Sequence, residues 1–365
     1  MALMTRWTIL VTFTCALLAG CDQHIIDQME LVQTISFDTA PNHRVRSAVL
    51  IAHYKDRGQA ELQLLDTESN SNYDIMPRLN TKTKDPIQYG QLRMVLFGQS
   101  YASEGIEGEI NSLSRDPKIP TMLQMAVADG EGSALLRIVQ KTHRPYFLSS
   151  MIEQNMRNGN LPMQNLHEIL FNYYGEGRDL FLPRLKVERG EIKIDGLALF
   201  RGSKHVANIG IRESFLLKLL LDNSKNGSYM IPIAGSGAKS SANEFLLMSS
   251  IHSKVSYTVN RFEPIPSIAI DLKLKVEVKD LPDRINLRSN YEIAQLERML
   301  ESYFSQEIYS LIDLFQKNKV DPIGFGDLLR SRSRQWNEEK FYRQYAQLET
   351  KVNVKVNIAQ YGLTE

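Results

Sequence analysis

Ser267-Ile-Ala-Ile-Asp-Leu-Lys-Leu-Lys-Val-Glu-Val-Lys-Asp280 is the most regular stretch of the chain. Ile268, Ile270, Leu272, Leu274, Val276 and Val278 alternate with Asp271, Lys273, Lys275 and Glu277. A strand sends successive side chains to opposite faces, so this period of two predicts a long strand with one buried face and one wet face. The pattern returns near the C-terminus in KVNVKVNI, through Val352, Val354, Val356 and Ile358. Between the two lies the longest helical signal. Ser289-Asn290-Tyr291-Glu292 has the spacing of a capping box, in which serine and glutamate each satisfy a free backbone amide of the first turn. Ile293, Leu296, Leu300, Phe304, Ile308, Leu311, Ile312 and Phe315 then follow at steps of three and four. One amphipathic helix laid across an antiparallel sheet accommodates both patterns.

Upstream, GEIKIDGLALFRGSKHVANI reads as two strands around a turn at Arg201-Gly202-Ser203, and it opens this second unit. SFLLKLLL, from Ser214 to Leu221, is interrupted by Lys218 and stopped by Asp222, which predicts a core-facing helix and not a membrane span. From Ser47 to about Val187 the character is different. SAVLIAHY, RMVLFG (Arg93 to Gly98) and TMLQMAVADG (Thr121 to Gly130) read as buried strands. SEGIEGEINSLSRDP lies between the last two, with Ile106, Ile110 and Leu113 at helical spacing, and this order predicts a βαβ unit. Two more helices carry Phe147, Leu148, Met151 and Ile152, and then Leu166, Ile169, Leu170 and Tyr173; Gly159 and Gly175 follow them. The expected fold class is α+β: a mixed α/β domain over residues 21–188, then an α+β domain over 189–365 with an antiparallel sheet and a long helix. The stretch from Asn223 to Glu244 reads as a loop enriched in Gly and Ser.

The N-terminus is a separate segment. Arg6 is the only charge before Cys21, and Trp7 to Leu18 form an uncharged run. A basic start, a short apolar run and small residues at its end have the layout of a secretory signal, and the run is shorter than the roughly 20 residues of a spanning helix. Leu17-Leu18-Ala19-Gly20-Cys21 resembles the lipobox of bacterial lipoproteins. In that motif the cysteine thiol receives a diacylglyceryl group and becomes the first residue after cleavage. Residues 1–20 are therefore expected to be removed, and Cys21 is the expected lipidation site. Cys15, the other cysteine, would leave with the signal, so no disulfide would remain and the fold would rest on its core. Two acyl chains suffice for stable attachment to a bilayer.

The rest of the sequence offers little chemistry. With 43 basic and 42 acidic residues and no basic block, the chain does not have the charge pattern of a nucleic-acid binder. Its seven histidines, His24, His43, His53, His143, His167, His205 and His252, show no metal-ligand spacing. His167 falls on a predicted helix and reads as structural. GSGAKSS (Gly235 to Ser241) lacks the Gly-Lys-Ser/Thr of a phosphate loop because Ala238 intervenes. Gly175-Glu176-Gly177 and Gly324-Phe325-Gly326 are isolated G-x-G pairs that read as turns and helix ends. There is no G-x-S-x-G elbow. No catalytic, cofactor-binding or metal-binding residue is nominated, and the expectation is a non-enzymatic protein without a cofactor.

Several segments, in order along the chain, are similar to the Ger(x)C family, the C-subunit lipoproteins of bacterial spore germinant receptors. CDQHIIDQMELVQTISFD resembles the family's opening through Asp22, Ile26 and Phe37-Asp38, although the usual tryptophan is absent and Ile25 stands where glutamate is common. Gly105, Leu113, Arg115, Asp116 and Pro117 match its Gly-x-x-x-x-x-x-x-Leu-x-Arg-Asp-Pro segment, and RPYFLSSMIEQNMRNGNLP resembles the helix that precedes its Gly-x-Ile/Leu-Pro exit. Gly196, Ala198, Phe200, Lys204 and Val206 match a third motif; Asp321, Gly324, Gly326 and Trp336 match a fourth, and Gly362 fits the close. The resemblance implies a subunit of a nutrient-sensing complex on the outer face of the spore inner membrane. Its implied partners are a transporter-like B subunit, an A subunit and the lipid bilayer. The matched residues are mostly of the kinds that hold turns and cores. The competing reading, an extracytoplasmic solute-binding lipoprotein of a transporter, would require two α/β lobes around a cleft.

Overall fold

The computed structural model describes residues 29–54, 60–222, 225–233, 244–282, 285, 287 and 289–361. Leu17 to Cys21, Asp22, Ile25, Ile26, Gly362 and the GSGAKSS loop lie outside the described residues. Two sheets organise the rest. The first contains β1 (Glu30–Ala40), β2 (Arg44–Tyr54), β3 (Ala60–Ser69), β4 (Ile87–Gln88), β5 (Met94–Gly98), β6 (Gln124–Ala128), β7 (Phe181–Glu188), β8 (Glu191–Arg201) and β9 (Lys204–Ile209). Its order is β3-β2-β1-β5-β6-β7-β8-β9, with short β4 beside the start of β1. The centre, β1-β5-β6-β7, is parallel and the flanks are antiparallel. All five residues of β5, and all five of β6, are buried. This is why their sequences read as continuous apolar runs: parallel strands covered on both faces have no wet side to alternate with.

The helices of this half follow from the same pattern. In chain order they are α1 (Ile75–Asn80), α2 (Gln99–Glu104), α3 (Glu107–Arg115), α4 (Gly132–Thr142), α5 (Phe147–Asn158) and α6 (Leu166–Tyr174). α2 and α3 connect parallel β5 and β6, as the βαβ reading expected. Ile106, Ile110 and Leu113 are buried there. His167 is exposed on α6, whose apolar side is held by Leu166 and Ile169.

The second sheet runs β10 (Ser228–Pro232), β11 (Phe245–Arg261), β12 (Ser267–Asp280) and β13 (Glu349–Tyr361), in that order. Along β12 the residues from Ile268 to Val278 alternate between buried and wetter positions as expected. Two expectations need correction. The sheet is antiparallel only across β10, β11 and β12, because β13 joins β12 in parallel register. The GEIKIDGLALFRGSKHVANI hairpin, expected to open the second unit, extends the first sheet as β8 and β9. Both features depend on pairing between strands, whereas alternation reports only which face of each strand is buried.

The core is continuous across the two sheets. α7 (Ile211–Leu221) occupies the space between them, touching β8, β11 and the long helix α8 (Asn290–Asn318). Ser214 through Leu220 are all buried, which accounts for a helix apolar on every side. Lys218, the interruption noted in the sequence, is itself buried, and its Nζ donates to the carbonyls of Gly159 at 2.6 Å and Met156 at 3.2 Å. Burial lowers its pKa.

α8 begins with the expected capping box at Ser289 and Glu292. Leu296, Leu300, Phe304, Ile308, Leu311, Ile312 and Phe315 are its buried stripe. The same helix also covers the free edge of β13. Tyr309 accepts from the Val352 amide at 2.9 Å, Glu301 from Val356 at 3.1 Å and Glu297 from Ile358 at 2.9 Å. Unpaired amides of an edge strand invite pairing with another chain, and here carboxylate and phenol oxygens receive them. Two short helices, α9 (Phe325–Arg332) and α10 (Glu338–Gln344), lead from α8 towards β13.

Candidate functional site

The two isolated G-x-G pairs face each other. The chain leaves α6 through Gly175-Glu176-Gly177-Arg178-Asp179 on its way to β7, and it leaves α8 through Asp321-Pro322-Ile323-Gly324-Phe325-Gly326-Asp327 into α9. Asp179 N–H donates to the Asp321 carbonyl at 2.9 Å, and Asp327 N–H donates to the Gly177 carbonyl at 2.8 Å. Backbones this close leave no room for a side chain. A Cβ on Gly177, whose φ is +72°, would lie 2.5 Å from the carbonyl carbon of Gly326.

A pair of carboxylates forms the centre of this crossing. Asp321 has no exposure; its two oxygens accept the amides of Gly324 at 2.9 Å and Gly326 at 2.8 Å, which fastens the start of α9. Asp179, also buried, accepts from the Asp321 amide at 2.7 Å, from the Tyr342 hydroxyl of α10 at 3.0 Å and from Arg201 Nη1 at 3.0 Å. The Arg201 guanidinium lies 3.2 Å over the Tyr342 ring. Around this centre, Arg178 pairs with Asp327 at 2.5 Å and Trp336 donates to Glu176 at 2.9 Å.

Burial dominates the electrostatics. It raises the pKa of Asp321 to about 7, with the neighbouring Asp179 adding to the rise and the amides of α9 opposing it. It also raises Asp179, outweighing the counter-pull of Arg201. At Asp327 burial acts in the same sense, but Arg330 and Arg178 together hold the carboxyl below its ordinary value. The oxygens of the buried pair are directed at backbone amides, a phenol and an arginine, with no open face on solvent. The arrangement ties β7 and β8 of the first sheet to the α8–α10 segment of the second half.

Other residues singled out in the sequence have comparable work. Asp38 on β1 accepts the Gly132 and Ser133 amides at 2.6 and 2.9 Å, fixing the start of α4. Leu113 closes the inner face of α3, and Asp116 just beyond accepts the Lys118 amide at 2.9 Å. Gly196 has a φ of +127°, and a Cβ there would lie 2.0 Å from the Ile209 carbonyl oxygen. Ala198 and Phe200 are buried in β8, whereas Lys204 and Val206 are exposed on β9. Sequence reasoning missed Asp179, Arg201 and Tyr342, which no local pattern marks. Among the described residues, no group of three or more His, Cys, Asp and Glu is placed to hold a metal, and no helix is long and apolar enough to cross a membrane.

Comparisons with known proteins agree with this picture along the whole chain. The family described as "Spore germination protein N-terminal domain" matches residues 22–187, and "Spore germination B3/ GerAC like, C-terminal" matches residues 195–362. The spore germination protein GerQC of Bacillus cereus is 27% identical, over 99% of this chain and 100% of its own length. The crystal structure of the GerBC protein shares the fold, with a TM-score of 0.59 and 16% identity, covering 89% of this chain and 97% of that one. With both halves matched in order by the two domains of one family, the chain belongs to the GerAC-like family of spore germination proteins.

Proposed function

We propose that this protein is the lipid-anchored, non-enzymatic C subunit of a nutrient germinant receptor, held on the outer face of the spore inner membrane beside A and B subunits. The observation that carries the reading is the division of the chain. The two family domains take up residues 22–187 and 195–362, and the segment ahead of them ends in Leu17-Leu18-Ala19-Gly20-Cys21. A diacylglyceryl group on Cys21 would keep the folded body near membrane partners and raise its effective concentration there. The buried carboxylates bind backbone and arginine, which supports a scaffolding role over a catalytic one. The solute-binding lipoprotein reading is less favoured, since the second half is a four-stranded sheet with one long helix and not a second α/β lobe.

The test is germination of purified spores given single nutrients, read as loss of optical density. Deleting the gene should leave growth and sporulation intact and abolish the response to the nutrients of one receptor, while receptor-independent triggers still work. Cys21→Ala should shift the protein from the membrane fraction and reproduce part of the loss. A deletion strain that responds normally to every nutrient sensed by the adjacent receptor genes would refute the assignment.

A further inference from the structure

Strands β1, β5 and β6 run parallel, so all three start at one end of the first sheet. The surface of that end is basic. Arg93 precedes β5, Arg115 closes α3 with Lys118 just beyond, and Lys141 and Arg144 lie in and after the last turn of α4. All five are exposed, and none has a carboxylate partner among the described residues. The carboxylates nearby are engaged. Glu30 is buried beside His53, Asp85 pairs with Lys84, Asp116 accepts the Lys118 amide, and Glu61 has a partner of its own. The end where the same strands finish is balanced instead: Arg46 meets Glu68 and Glu131, and Arg184 meets Asp129 and Asp195.

Two side chains leave apolar surface uncovered at the basic end. Met122, shortly before β6, is 48% exposed, and Tyr54, the last residue of β2, is 56% exposed. Tyr54 is held there by Gln33 of β1, which donates to its hydroxyl at 3.1 Å. Cations around a few apolar or amphipathic side chains suit a surface that rests on anionic headgroups. The chain also enters the fold at this end: β1 starts at Glu30, whose amide donates to the Pro86 carbonyl at 3.0 Å. Eight residue steps separate Cys21 from Met29. At no more than about 3.6 Å per residue, a lipid on Cys21 keeps Met29 within about 29 Å of the headgroups. Attraction between charges acts over about 8 Å at physiological salt, and a tether of this length delivers the basic end into that range before the balanced one.

We infer that the end of the first sheet bearing Arg93, Arg115, Lys118, Lys141 and Arg144 docks on anionic phospholipid headgroups and fixes the orientation of the body on the bilayer. The inference rests on Cys21 as a lipid anchor and goes beyond it, since an anchor by itself leaves the body free to turn.

The experiment places the lipidated chain in vesicles that carry a nitroxide on some headgroups. One thiol is introduced for a fluorescent label, either Met122→Cys at the basic end or Glu191→Cys in the turn between β7 and β8. In vesicles containing phosphatidylglycerol the label at 122 should be quenched and the label at 191 should not. Phosphatidylcholine alone, or about 1 M salt, should remove most of the quenching at 122. Lys118→Glu with Arg144→Glu, at exposed positions, should leave Tm unchanged and the chain anchored, yet reduce quenching to the phosphatidylcholine level. Equal quenching at 122 and 191, equal quenching in both lipids, or no response to the charge reversals would overturn the proposal. So would quenching confined to membranes that contain partner subunits, which would assign the face to an acidic protein. A Cys21 thiol that still reacts with maleimide in the purified chain would refute the anchor and this proposal together, whereas a lipidated chain without contact at 122 would refute the docking face alone.

Discussion

Asp38 and Asp321 perform the same local task in different surroundings. Each is buried, and each presents its two oxygens to two backbone amides at the start of a helix, α4 for Asp38 and α9 for Asp321. Burial raises the pKa of both. Asp38 joins neighbouring parts of one sheet and has no second buried carboxylate against it. Asp321 sits where the two halves of the chain cross, backed by Asp179, with Arg201 as the cation of the group. A lone carboxylate at a helix start is a local fastening. A second carboxylate and an arginine turn the same device into a coupled unit whose stability depends on charge state.

Arg201→Met should separate the two sites most sharply. It removes the cation from a pair of buried carboxylates and should cost about 3 kcal/mol, the low end for a broken buried ion pair because the Arg201 side chain is 38% exposed. Arg46→Met, removing the arginine whose charge reaches Asp38, should cost less than about 1 kcal/mol, since Arg46 pairs mainly with Glu68 and Glu131 at the surface. Equal losses in urea unfolding would erase the distinction.

The pH profile is the next largest effect. Asp321 keeps its proton to about 7 in the folded protein but releases it near 4 when unfolded. The folded state therefore binds more protons between these values, so this contribution is fully present below about 4 and is lost as pH rises towards 7. Relative to Asp321→Asn, the native protein should lose a few kcal/mol across that window. Asp179, also raised, acts in the same direction. Parallel profiles for native and variant proteins would remove the titrating pair.

Asp38→Ala should cost about 2 kcal/mol by leaving two buried amides unmet. Smallest is the coupling. Asp38→Ala and Asp321→Ala should add to within about 0.5 kcal/mol, whereas Asp179→Ala and Asp321→Ala should depart from additivity by about 1 kcal/mol. Additivity in both cycles would show that the crossing is two separate fastenings.

What the sequence disclosed, and what it withheld, follows the same division between local and long-range order. The face of β12, the capping box and stripe of α8, the parallel pair β5 and β6 and the ends of α5 and α6 all leave periodic or capping signals. Strand β1 and helix α4 were overlooked, although Gly132 to Thr142 carries Leu135, Leu136 and Val139 on one side. The sheet membership of β8 and β9 and the parallel entry of β13 depend on partners remote in sequence. So does the meeting of the two G-x-G pairs: each motif by itself describes a turn, and only the fold places Gly177 against Gly326. The lipobox-like stretch from Leu17 to Cys21 is legible only in the sequence, being outside the described residues.

The parallel register of β12 and β13 bears on how the protein is made and how it fails. β13 can add to the sheet only after everything from Leu281 to Leu348 has folded back, a distant closure whose entropy is lost before any strand contact compensates for it. Until then β12 is an edge strand with an apolar face, and Glu297, Glu301 and Tyr309 have no β13 amides to receive. A chain cut at Leu348 would keep that edge open permanently, presenting a template for another copy's strand. β13 is thus the cover on an edge that would otherwise stand open to the strand of another chain.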